Sequence, residues 1–196
     1  VDGKGNFYEC RITEANPKKC VFEILKVSPS IIKNYYIHLA VSPTKSMDRM
    51  EWLTEKVVEL GIDELSFISC KRSERNVIKI PRIEKKAISA MKQSVRATLP
   101  VINPIVSFEE YIGDIEDEYK KYVAYLDESK PPEHLFDVIT PNQRTCILIG
   151  PEGDFSENEI NYAISKGFMP VSLGDHRYRT ETAGLIACHM LNLISR

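Results

Sequence analysis

Cysteine and histidine are few and scattered in this sequence. The five cysteines (Cys10, Cys20, Cys70, Cys146, Cys188) are odd in number and form no C-x-x-C pair. That argues against a disulfide framework and against a thiolate metal site. The four histidines (His38, His134, His176, His189) show no ligand spacing either, so no metal is expected. No apolar run approaches the ~18 residues that span a bilayer. The first residues also lack the charged-then-apolar pattern of a signal peptide. A soluble, cytoplasmic chain with no membrane partner is therefore expected. Two phosphate-binding fingerprints, GxxxxGK[ST] and GxGxxG, are absent as well.

The 196 residues are 43% hydrophobic, enough for one medium domain with a real core, alone or with a small appendage. The net charge is only −2, but it is unevenly spread. Residues 71–96 carry nine lysines and arginines against Glu74 and Glu84, a net of +7, whereas residues 109–137 hold ten acids and three lysines, a net of −7. Such a split fits either a face built for a polyanion or two solvated faces of opposite sign.

Residues 7–13 and 20–27 read as two strands joined by a turn at Glu14-Ala15-Asn16-Pro17, and Ser28-Pro29-Ser30 reads as a junction. Two strands alone are marginal in water, so this piece must lean on something else. From residue 35 onward strands and helices alternate. Strands are expected at 35–41, 65–69, 122–126, 146–149 and 170–173. Helices are expected at 47–60, 83–95, 156–166 and 182–194. Gly61 suits a left-handed helix end. Ser156 and Glu159 form a capping-box pattern. This alternation implies an α/β fold with a parallel sheet covered by helices on both faces.

Two segments carry the chemistry. In the first, Leu148-Ile149-Gly150-Pro151-Glu152-Gly153-Asp154-Phe155-Ser156, a buried strand runs into a glycine-bearing turn and then a helix. Ligands of parallel sheets bind at such carboxyl edges. Gly150 and Gly153 are expected to let the backbone approach a ligand and to adopt positive φ. In the second, Ser172-Leu173-Gly174-Asp175-His176-Arg177-Tyr178-Arg179-Thr180-Glu181-Thr182-Ala183-Gly184, a strand again ends at a glycine. Arg177 and Arg179 can reach an anion from this loop, and Thr180 can cap the following helix. Singly, each segment is equally consistent with an ordinary turn.

Together their order and wording resemble the ribosomal RNA small subunit methyltransferase E family (16S rRNA uridine-N3 methyltransferases) of the knotted SPOUT superfamily. The family pattern is a GPEGG-like strand end followed by LG-x-x-(I/L)-L-R-x-ETA. Leu173-Gly174 and Arg179-Thr180-Glu181-Thr182-Ala183 match it. Tyr178 replaces an aliphatic residue, and Asp154 replaces the second glycine. Upstream, Arg49-Met50-Glu51-Trp52, Glu59-Leu60-Gly61, Ser73-Glu74-Arg75 and the Gln93-Ser94-x-Arg96 helix end extend the likeness to about residues 5–195.

The resemblance implies a SPOUT-type parallel sheet with a C-terminal deep trefoil knot over residues 30–196. Residues 1–29 would be the last strands of an N-terminal PUA-like, RNA-binding β-barrel. It implies a homodimer that uses S-adenosylmethionine to methylate uridine N3 in rRNA of the small ribosomal subunit. The cofactor would lie among Leu126, Ile149, Gly150, Pro151, Glu152, Gly153, Leu173, Gly174, Tyr178, Arg179, Thr180 and Ala183. N3 must lose a proton to become nucleophilic, so Arg96, Gln93 and Arg179 are candidate catalytic groups that stabilise the uracil anion. Lys71, Arg72, Arg75, Lys79, Lys85 and Lys92 would bind phosphates. Two alternatives are a knotted ribose 2′-O methyltransferase and a non-catalytic RNA-binding assembly factor on the same scaffold. The first is disfavoured because Ser172-Leu173-Gly174 stands where that group carries Ser-Leu-Asn.

Overall fold

The computed structural model describes residues 1–126 and 131–195. The chain begins with an antiparallel hairpin, β1 (Asn6–Glu14) and β2 (Val21–Pro29), which forms a sheet of its own. The rest alternates as β3 (Tyr36–Val41), α1 (Met47–Leu60), β4 (Glu64–Ser69), α2 (Ile80–Gln93), β5 (Val101–Ser107), α3 (Phe108–Asp114), β6 (Lys120–Ala124), α4 (Leu135–Val138), β7 (Arg144–Ile149), α5 (Glu157–Ser165), β8 (Met169–Val171) and α6 (Thr180–Ile194). Six strands form one sheet in the order β5-β4-β3-β7-β6-β8, and every pairing in it is parallel.

Its central strands are buried on both faces, so their alternation sorts residues between two cores rather than between core and water. Along β7, Ile147 and Ile149 join one core cluster with Leu39, Leu53 and Leu191, while Cys146 and Leu148 join a second with Phe108, Phe155 and Phe168. The buried Cys70 and Cys146 thiols are pushed up to about 12 by desolvation, which leaves them protonated packing groups at neutral pH. Gly184 of α6 lies so close to α1 that an added Cβ would meet Leu53 at 3.2 Å.

The helix ends differ in part from the sequence expectations. α2 starts at Ile80, with Pro81 in the first turn, where no intrahelical N–H is required. It stops at Gln93 because Val95 turns left-handed at φ +53. Gly61 ends α1 as expected, at φ +84, with its N–H on the Val57 and Val58 carbonyls. The carbonyls of this helix end are gathered by three distant side chains. Arg96 donates to those of Glu59 and Leu60, Lys33 to that of Gly61 and to the Asp63 carboxylate, and Asn192 to that of Leu60.

The N-terminal edge of the sheet carries a polar cluster. The Glu64 carboxylate accepts from Tyr36, Tyr119 and Asn103. His38, 3% exposed, is 2.8 Å from the Ser66 hydroxyl and 3.1 Å from that of Tyr111. Its burial depresses its pKa to about 4.

Two outcomes follow. Gly61→Ala forces a Cβ into the Arg96 guanidinium on a left-handed backbone, and should lower unfolding stability in urea by about 2 kcal/mol; an unchanged midpoint would contradict the capping arrangement. His38 stays neutral in the fold while the unfolded histidine charges below its ordinary pKa. Stability should therefore fall as pH drops from about 6.5 toward about 4, by about 3 kcal/mol in all. Unfolding curves of His38→Gln should be flatter across that window, and curves as steep as the parent's would refute this.

Candidate cofactor site

The carboxyl ends of β6, β7 and β8 lie side by side, and the loops leaving them enclose a cavity of about 690 Å³. All twelve residues expected around the cofactor line it, from Leu126 through the 149–153 turn to Leu173, Gly174, Tyr178, Arg179, Thr180 and Ala183. Leu126 and Leu173 lie just past the ends of β6 and β8 rather than within them.

The first loop is shaped by packing. A Cβ on Gly150 would stand 3.1 Å from the Phe155 ring, and one on Gly153 would stand 3.1 Å from the Arg72 side chain. Neither glycine has positive φ, contrary to expectation; the left-handed residue of this turn is Asp154, at φ +61. The turn closes with the Asp154 N–H on the Pro151 carbonyl, and Ser156 with Glu159 forms the expected capping box at the start of α5.

The second loop turns at Gly174, whose φ is +137 and whose open side is filled by the Tyr178 hydroxyl, 3.1 Å from where a Cβ would stand. Thr180 is not the cap expected for α6. Arg179 takes that position, and the Thr180 hydroxyl donates instead to the Gly150 carbonyl at 3.0 Å. One side chain thus ties the two motifs together.

Two further segments brace the site. Ser42, after β3, donates its N–H to the Ile149 carbonyl, and the Lys45 N–H reaches Glu152. Arg72 donates to the Gly153 and Phe155 carbonyls, and Arg75 to those of Thr44 and Lys45. Arg72 and Arg75, expected on phosphates, therefore spend donors on loop carbonyls, and Arg72 lines the cavity. Lys71, Lys79, Lys85 and Lys92 remain exposed.

Of the three candidate catalytic residues, only Arg179 lines the cavity. Gln93 and Arg96 precede β5 and so lie at the opposite edge of the sheet, where Arg96 is engaged with the end of α1. Neither reaches the site in this chain. Asp154, Phe155 and Arg72 are among the cavity residues not foreseen in a cofactor role. Asp154 was flagged only as a departure from glycine. Among the described residues no cluster of three potential metal ligands occurs.

Thr180→Val removes the bridge and leaves the Gly150 carbonyl without it. A loss of about 1 kcal/mol in chemical denaturation is expected, and an unchanged midpoint would mean that the bridge contributes nothing.

The fold agrees with comparisons to known proteins. A family model described as an RNA methyltransferase domain matches residues 32–192. The chain resembles the structure of a probable rRNA-methyltransferase from Porphyromonas gingivalis, with 42% identity, a TM-score of 0.92 and coverage of 98% of this chain and 82% of that one. It also resembles a ribosomal RNA small subunit methyltransferase E from Neisseria gonorrhoeae solved with S-adenosyl methionine, at 29% identity and a TM-score of 0.89, over 98% and 81%. The enzyme of the same name from Mesomycoplasma hyopneumoniae is 28% identical over 93% of this chain and 79% of its own length. With a family model spanning most of the chain and a 42% identical relative aligned along nearly all of it, the protein belongs to the ribosomal RNA small subunit methyltransferase E family of RNA methyltransferases.

Proposed function

We propose that this protein transfers a methyl group from S-adenosylmethionine to N3 of a uridine in small-subunit rRNA. The observation that carries this reading is the convergence of both sequence motifs on one cavity at the carboxyl edge of the sheet. The residues present suit the cofactor. The volume falls within the ~300–1,000 Å³ of small-molecule pockets. Ile149, Leu173 and Ala183 offer apolar wall, loop backbone at Gly150 and Gly174 can hydrogen-bond a purine or ribose, and carboxylates line the same space. A solved relative from Neisseria gonorrhoeae is described as bound to that cofactor.

When bound, the cofactor supplies an activated methyl group on a sulfonium. The protein's own work is to orient and polarise. Loop backbone around Gly150 and Gly174 fixes the adenosine. Arg179, exposed at the cavity wall, faces the negative charge that develops on a uracil oxygen as the N3 proton leaves to solvent. N3 lies on the pairing edge of the base, so the uridine must be unpaired or flipped out. Lys71, Lys79, Lys85 and Lys92 supply phosphate contacts.

The proposal extends to the assembly, in a cytoplasmic setting. Trp52 of α1 and Leu193 of α6 are 42% and 47% exposed, which favours a homodimer pairing these helices. A trefoil knot within residues 30–196 is supported by backbone bonds that the end of β8 makes both to residue 125 and to residues 133 and 135. Tyr125 bonds Val171 before residues 127–130, and Glu133 and Leu135 bond Ser172 after them. The β1–β2 hairpin of residues 1–29 leaves Phe22, Ile24 and Val27 about half exposed, as the last strands of a PUA-like barrel would. Among the described residues no helix is long and apolar enough to cross a membrane.

Calorimetric titration with S-adenosylmethionine should give a saturable signal; none would remove every enzymatic reading and leave an RNA-binding factor. Small subunits incubated with labelled cofactor and digested to nucleosides should yield 3-methyluridine. A ribose-methylated product would contradict the assignment. RNA affinity should fall steeply as salt rises.

A further inference from the structure

Asp154 occupies the one place in the first loop where a left-handed backbone is required, at φ +61. A side chain there carries a backbone cost that glycine avoids, and the motif that the chain otherwise matches has glycine at this position. In return the chain sets a carboxylate in the cavity wall. Its Oδ1 accepts the Phe155 N–H at 2.7 Å and lies 3.4 Å from where a Cβ on Gly150 would stand, which holds the group over the end of β7 rather than out in solvent. Among the described residues three carboxylates line the cavity. Glu152 and Glu157 are exposed, and Glu152 accepts the Lys45 N–H. Asp154 is the more buried one, and desolvation raises its pKa against the opposing pull of the Phe155 N–H, Arg177 and Arg72. A half-buried carboxylate attracts a cation more strongly than one in bulk water, because the field between them is less screened.

Resting on the cofactor reading above, we infer that Asp154 is a specificity-determining residue: its carboxylate is the counter-charge by which the cavity prefers the sulfonium cofactor over the neutral thioether left after transfer. In the transfer the S–CH₃ bond breaks, its electron pair stays on sulfur, and the methyl carbon bonds to a deprotonated N3. Sulfur loses its positive charge, so the attraction to Asp154 ends with the reaction. The product is then held less tightly than incoming cofactor, which favours exchange.

Calorimetric titration of the whole chain with S-adenosylmethionine and with S-adenosylhomocysteine, in the parent, D154N and D154G, tests this. Glycine is unstrained at this φ, so D154G separates the carboxylate from the shape of the turn. Both variants should bind S-adenosylmethionine about tenfold more weakly and S-adenosylhomocysteine within about twofold of the parent. Equal weakening for both ligands would assign the carboxylate to a group that they share, such as the ammonium, and would overturn the inference. Unchanged affinity for both would overturn it too. A parent chain that binds neither ligand would overturn the cofactor reading itself, and this inference with it.

Discussion

β7 has to satisfy two neighbours at once. It pairs with β3 along one edge and with β6 along the other, although β6 precedes it in the chain and β3 lies far upstream. This insertion fixes what surrounds its carboxyl end. The turn after Ile149 must emerge between the 42–45 loop, which follows β3, and the loop that follows β6. Because β8 pairs with the outer edge of β6, the Gly174 loop arrives at the same place. The cavity is what remains when three parallel strands end side by side. The Thr180 hydroxyl on the Gly150 carbonyl then joins the two motif loops across it.

The same constraint explains why the loops contain the residues they do. Gly150 is needed because the Phe155 ring packs over it, and Gly153 because Arg72 passes beside it on the way to two carbonyls. Positive φ is required one residue later, at Asp154, where the chain tolerates it. Arg72, Arg75 and Arg96 illustrate a general division of labour among cations. All three lie in the basic segment, yet their guanidiniums donate to carbonyls of neighbouring loops and of a helix end. Lys71, Lys79, Lys85 and Lys92 of that segment stay in solvent, where they can meet phosphate, while Lys86 pairs with Glu55.

Much of the fold was legible because its long elements have clear periodicity and punctuation. α1 with Gly61, the Ser156–Glu159 capping box and the buried run of β7 were all readable from the sequence. β5 was not, since Pro104 interrupts it; the strand survives because it lies at the sheet edge, where a missing N–H is tolerated. α3 and α4 are seven and four residues long, too short for a helical period to register. The residues expected around the cofactor came from motif resemblance, and the structure gathers all of them around one cavity. The positions of Gln93 and Arg96 were not legible, because sequence does not say at which edge of the sheet a helix ends. Nor does it say that Thr180 would cross to the other loop.

The central claim is that the two glycine-bearing loops form a single cofactor site. Hydrogen–deuterium exchange of the whole chain with and without S-adenosylmethionine tests it directly. Amides of residues 149–155 and 172–180 should both gain protection, while those of 93–96, at the far edge, should not change. Protection confined to one loop, or appearing at 93–96 instead, would contradict the account.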